Sequence, residues 1–208
     1  MAVYQAADGK SPQTDLRALA RESVRTQLAE TAWDVFAERG FDEVTVTEVA
    51  EVAGISRASF FRYFGSKEEA VFVALDALGA QIAEALAERP PGEDAWVALR
   101  RAFDAAIPNY STSPSRSLAR LRLTREVPAL RAHQLERQDH WQTMIAEALA
   151  PRIGAKEDDV AVRALVAAAI NVLDAATGRW AASDGKLNLT ALIDEAFDAV
   201  GRPKPKLS

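Results

Sequence analysis

Apolar residues in this chain recur at steps of three and four, and almost nowhere at steps of two. Val24, Leu28, Ala32, Val35 and Phe36 follow that spacing. So do Val71, Leu75, Leu78, Ile82 and Leu86, then Trp96, Leu99, Phe103 and Ile107, then Trp141, Ile145 and Leu149. The longest stripe is Val162, Leu165, Val166, Ala169, Ile170, Leu173, Thr177 and Trp180. A half-buried strand needs period two, and a helix needs a period near 3.6. Prolines at 90–91, 108, 114, 128 and 151 fall between helical stretches or at their starts, where a missing N–H costs nothing. The expectation is an all-α chain of about nine helices with no sheet.

Charge and composition narrow the function. The 208 residues carry 25 basic and 30 acidic side chains, a formal net charge of −5. Bulk coating of nucleic acid is therefore excluded, while a local basic patch is not. There is no cysteine, which removes disulfide scaffolds, Cys-based zinc sites and thiol catalysis. His133 and His140 lie seven residues apart, about two helical turns, too far for one metal ion. Glu136 and His140 have an i, i+4 spacing, but no third ligand stands at a telling distance, so neither metal nor cofactor is expected. No apolar run approaches the roughly 18 residues of a membrane span, and the N-terminus lacks a signal pattern. A cytoplasmic protein is the expectation.

The chain divides by texture. Residues 1–15 read as a flexible arm and 201–208, GRPKPKLS, as a flexible tail. Short helices and tight turns fill 16–66. A linking helix is expected over 67–88, and longer Ala/Leu-rich helices over 89–200.

The segment GFDEVTVTEVAEVAGISRASFFRYFGSK, 40–67, carries the functional signal. Gly40 suits a left-handed helix C-cap. Thr45 and Glu48 have the spacing of a capping box, which explains the short alternation VTVTEV without a strand. A two-turn helix, Val46–Ala53, is broken by Gly54. Ser56 then caps a second short helix, Arg57–Phe64. Two short helices joined by a tight turn make a helix-turn-helix. From Gly54 to Lys67 there are three basic residues and no acid. Phe60 and Phe64 lie four apart and would pack inward, turning Arg57, Ser59 and Arg62 outward. Guanidinium, ammonium and hydroxyl groups are what phosphates and guanine edges require.

At this segment the chain resembles the TetR family of bacterial transcriptional repressors. The residues that carry the likeness are Gly40-Phe41, Thr45, Val49-Ala50, Ala53-Gly54-Ile55-Ser56, Phe60-Phe61-Arg62-Tyr63-Phe64 and Lys67-Glu68, in order and at the family's spacing over about residues 20–85. The resemblance implies an N-terminal three-helix DNA-binding domain and a larger helical effector-binding and dimerisation domain. It implies that Thr45, Ser56, Tyr63 and Lys67 hold phosphates, and that Arg57, Ala58, Ser59, Phe61 and Arg62 face the major groove. Phe61 stands where many members carry Tyr, and Tyr63 replaces a frequent His, which leaves the operator sequence open. Arg17, Arg21 and Arg25 would reach the DNA backbone or minor groove.

The helix over 157–182 is apolar on one face and small on another, at Ala161, Ala164, Ala168, Ala175 and Gly178. With the last helix, Leu189 to Val200, it is expected to form a four-helix interface in a homodimer, matched to an inverted-repeat operator. Candidate ligand-binding residues are Phe103, Ile107, Tyr110, Leu121, Trp141, Met144, Asn171 and Asp174. Trp96, Leu118 and Ile145 are further lining candidates. Asn171 and Asp174 sit in an otherwise apolar helix and would either orient a ligand or bond across the dimer. The run Arg116, Arg120, Arg122, Arg125 and Arg131 would pair with acids on neighbouring helices or meet an anionic effector, such as an acyl-CoA or a carboxylate. The reading is a ligand-released homodimeric repressor and not an enzyme. The competing reading is a helical interaction module or bundle enzyme with a vestigial helix-turn-helix.

Overall fold

A computed structural model describes residues 12–201. They form helices and no strand. The helices are α1 (Pro12–Arg39), α2 (Val46–Val52), α3 (Arg57–Tyr63), α4 (Lys67–Phe72), α5 (Leu78–Ala87), α6 (Ala95–Ala102), α7 (Ile107–Ser111), α8 (Pro114–Glu126), α9 (Pro128–Leu149), α10 (Val160–Ala182) and α11 (Leu189–Gly201). Short 3-10 turns continue α4, α6 and α9. Counting α4 with α5, and α6 with α7, as single runs leaves the nine that the periodicity predicts.

Two corrections concern the ends of elements. α1 begins at Pro12, so residues 12–15 of the expected arm are helical, while 1–11 and the tail 202–208 lie outside the described residues. The stretch 67–88 is not one uninterrupted helix, because a 3-10 turn at Val73–Leu75 separates α4 from α5. The chain parts into two compact units between Val73 and Ala74.

In the first unit α1 packs against α2 and α4, and α2 against α3. Its core is aromatic, built on Phe36, Phe41, Phe60, Phe64 and Phe72. Burying side chains of this size supplies about 1.5–3 kcal/mol each, which short helices need in place of length. Val24, expected on the buried stripe of α1, is exposed.

In the second unit α9 runs along α5 and also meets α8 and α10, while α11 covers α10 and α6. Gly79 of α5 is what lets α9 close in, since a Cβ there would fall 2.7 Å from Met144 Cε and inside contact distance of Trp141. Trp96 and Phe103 pack against Phe197 of α11, with ring centroids 4.8 and 5.6 Å away. Two helical stretches, 67–87 and 160–182, are long and apolar enough to cross a membrane by length and composition, contrary to the sequence expectation. A protein core accounts for that apolarity: Val162, Val166, Ala169, Ile170, Leu173 and Trp180 of α10 are all buried.

Candidate functional site

The helix-turn-helix is assembled by local hydrogen bonds. Thr45 Oγ1 accepts from the Glu48 N–H, and Glu48 accepts from the Thr45 N–H at 2.8 Å, completing the capping box. The Thr45 hydroxyl also donates to Glu48 at 2.7 Å. These bonds hold the Glu48 carboxyl below its ordinary range, the backbone N–H of Thr45 most of all. Gly54 turns the chain at a φ of +68°, and the Ile55 N–H reaches back to the Ala50 carbonyl at 2.9 Å. Ser56 caps α3 by accepting from the Ser59 N–H at 3.0 Å. α3 ends at Tyr63, one residue short of expectation, where Phe64 turns extended.

Burial then sorts the side chains of α3. Phe60 and Phe64 are 1% exposed, with ring centroids 4.8 Å apart, and fix the inner face. Arg57, Ala58, Phe61 and Arg62 are exposed, and Ser59 and Tyr63 half-buried. Phe61 is 41% exposed and lies on the outer face with Arg57, Ala58 and Arg62. The Arg57 guanidinium lies 5.2 Å from the centre of its ring, and Arg62 lies 5.7 Å from that of Tyr63. Cation–π attraction favours both guanidinium groups on the outer face.

Two basic residues serve the scaffold. Lys67 donates its ammonium to the carbonyls of Phe41 and Val44, the latter at 2.7 Å, and sits 4.2 Å from the Phe41 ring centre. Two of its three protons thus tie the turn after α1 to the start of α4. Arg25 donates to the Tyr63 carbonyl at 3.2 Å and to Glu69 at 2.9 Å, so it braces the end of α3 against α4. Arg21 donates to the Arg62 carbonyl at 3.3 Å. Arg17 is exposed. Sequence reasoning read Arg21 and Arg25 as DNA-facing and missed their bracing role. The i, i+3 neighbour Glu22 gives no hint of it.

In the second unit the expected ligand residues scatter. Phe103 belongs to the α6–α11 cluster, and Trp141 and Met144 pack on Gly79. Ile107 and Leu121 are half-buried. Asn171 and Asp174 are exposed, not buried as the apolar run suggested. They fall on the same side of α10 as Ala161, Ala164 and Ala175, which are also exposed. Asn171 donates to the Ala167 carbonyl of its own helix at 2.8 Å, and Asp174 faces Arg125 at 3.9 Å. His133 lies 3.6 Å from Glu136, His140 is exposed, and no three metal-ligating side chains converge among the described residues.

Tyr110 of α7 is buried and meets Trp180 edge-on, at 6.4 Å between centroids. Its phenol is pushed above its ordinary pKa by burial, against the pull of Arg120. The basic run of α8 divides. Arg122 pairs with Asp184 and Arg125 with Asp174. Arg120 has its Nη2 enclosed with no acceptor.

Comparison with known proteins gives this geometry a family. The profile of bacterial regulatory proteins of the tetR family matches residues 28–73, and that of the MftR C-terminal domain matches 93–205. MftR of Mycobacterium tuberculosis, named as a mycofactocin biosynthesis transcriptional regulator, is 28% identical over 192 residues, 90% of this chain and 94% of that one. The transcriptional regulator TcmR of Streptomyces glaucescens is 30% identical over 141 residues, 65% of this chain and 62% of its own. Among solved structures, the TetR-family repressor FadR of Thermus thermophilus, in complex with lauroyl-CoA, aligns with a TM-score of 0.62 at 22% identity, covering 88% of this chain and 96% of that one. FadR of Bacillus subtilis, in complex with stearoyl-CoA, aligns at 0.60 and 19% identity, covering 84% and 96%. At these identities the structural likeness speaks to the fold. One profile covers the helix-turn-helix and the other spans more than half of the chain, so the likeness first seen in residues 40–67 is one of membership: the chain belongs to the TetR family of DNA-binding transcriptional regulators.

Proposed function

We propose that this regulator is a homodimeric, ligand-released repressor that reads an inverted-repeat DNA operator with α3. The observation that carries the reading is the outer face of that helix. Arg57, Ala58, Phe61 and Arg62 stand exposed on a helix anchored by Phe60 and Phe64. In the complex, Arg57 and Arg62 donate to base edges, and Phe61 meets a thymine methyl beside Ala58 and Ser59. Ser56, Tyr63 and the remaining proton of Lys67 take phosphates. Thr45 joins them when its hydroxyl turns from Glu48 to a phosphate oxygen.

The exposed small face of α10 supports the homodimer. Ala161, Ala164 and Ala175 give a partner helix close approach, with Asn171 among them. A twofold dimer presents two reading helices to successive major grooves about 34–36 Å apart. An effector in the second unit favours a dimer whose helices no longer fit that spacing, so effector and operator oppose each other by one coupling free energy. The site of action is the cytoplasm, where the chromosome is, and the chain has no catalytic role in this reading. Changing Arg62 to Ala tests it: operator affinity falls while folding is kept. Unchanged DNA affinity would favour a helical interaction module with a vestigial helix-turn-helix.

A further inference from the structure

Among the described residues of the second unit, the enclosed side-chain nitrogens without an acceptor are Arg120 Nη2, Arg137 Nε and Nη2, and Arg152 Nε. Ser117, Thr124 and Thr177 are buried and donate to the carbonyls of Asn109, Arg120 and Leu173 at 3.2, 2.8 and 2.8 Å. Arg152 is held by the carbonyls of Arg89 and Pro90. Arg137 pairs with Asp76 and lies 5.7 Å from the Trp141 ring centre. Arg137 and Arg152 thus keep partners on their remaining nitrogens, and Arg120 does not. Its Nη2 is enclosed and has no acceptor, and it has no ion pair. Burial pushes its guanidinium below the ordinary value. Of the groups that act on it, Tyr110 favours the charge and Arg137 opposes it. Arg120 is half-buried, and a guanidinium with an enclosed nitrogen that has no acceptor is costly unless something supplies negative charge.

We propose that Arg120 is the receptor for the anionic head of the effector, a carboxylate or phosphate oxyanion on an apolar body, with Tyr110 as a second donor and Arg137 as the flanking positive charge. This rests on the reading of the protein as an effector-responsive regulator. An oxyanion accepts from Arg120 Nη2 and thereby satisfies the orphaned donor. Tyr110 keeps its proton and can donate it to the same anion. Trp180, which meets Tyr110, and Trp141, 5.7 Å from Arg137, are buried apolar neighbours of these groups. The stability sacrificed to an unpaired interior cation is then recovered on binding.

The test uses the full-length protein and an Arg120→Met variant. Melting temperature and calorimetric affinity are measured with octanoate, octyl phosphate and the neutral octanamide. At least one of the two anions is expected to bind the wild type about ten-fold or more tighter than octanamide, the factor of one charge-assisted bond. Octanoate alone marks a carboxylate head, octyl phosphate alone a phosphate head. Arg120→Met should lose that preference, yet melt at or above the wild-type temperature, because an uncompensated charge has been removed. Equal response to the anions and octanamide, no response to any of the three, or a variant that melts several degrees lower would each overturn the proposal. Operator binding by the same samples without any probe separates the outcomes. If DNA binding persists while the anion preference is absent, the regulator reading stands and the anion reading falls.

Discussion

At the scale of the residue, the helix-turn-helix unit separates basic side chains that face outward from those that brace the scaffold. Arg62 is exposed and spends at most a weak bond on Ser59, at 3.5 Å. Arg62→Ala is therefore expected to weaken operator binding by about 1–3 kcal/mol and to leave the melting temperature nearly unchanged. Lys67 differs, because its ammonium closes the turn at Phe41 and Val44. Lys67→Met should lower both DNA affinity and thermal stability, by about 1–3 kcal/mol for the two stranded carbonyls. Paired melts and titrations of the two variants separate the roles. Glu48 adds a pH dependence. Its folded pKa lies below the ordinary carboxyl value of 4.5, so its contribution is complete above that pH and is lost as pH falls through the folded value. Wild type should out-melt Glu48→Gln at pH 7, with the gap closing below pH 4.5. A gap that widens on acidification would contradict the capping role.

At the scale of the element, what could be read in the sequence was what local chemistry decides. The Thr45–Glu48 box, the Ser56 cap and the positive φ at Gly40 and Gly54 all involve residues within a few positions of one another. Tertiary facts were illegible for the same reason. Small residues at helical spacing suit a core and an interface equally, so the sequence left Asn171 and Asp174 between a ligand site and a dimer contact, and in the structure they lie on the exposed side of α10. The bracing by Arg25 joins positions 44 residues apart, and nothing near Arg25 announces it. Arg120 looked like one of five arginines until packing enclosed its Nη2 with no acceptor. The close approach of α5 and α9 yields its own prediction. Gly79→Ala pushes a methyl into Trp141 and Met144 and should cost about 1–3 kcal/mol despite the better helix propensity of Ala. Chemical denaturation would show it, and an unchanged midpoint would mean that the helices sit further apart.

At the scale of the whole molecule, the proposed function depends on two copies acting together. The exposed Ala164 and Ala175 of α10 lie on the face assigned to the partner. Ala164→Glu should yield a folded monomer in sedimentation, with operator affinity reduced by the loss of the second half-site. A dimeric Ala164→Glu protein would move the interface elsewhere. The measurement that tests the central claim most directly is capture of genomic fragments by the purified protein at about 150 mM salt, where non-specific phosphate binding is weak. The account predicts retained fragments that share an inverted repeat whose half-sites lie about one helical turn apart, or a multiple of it, with capture abolished by Arg62→Ala. Retention without a common sequence, or equal retention by the variant, would contradict it.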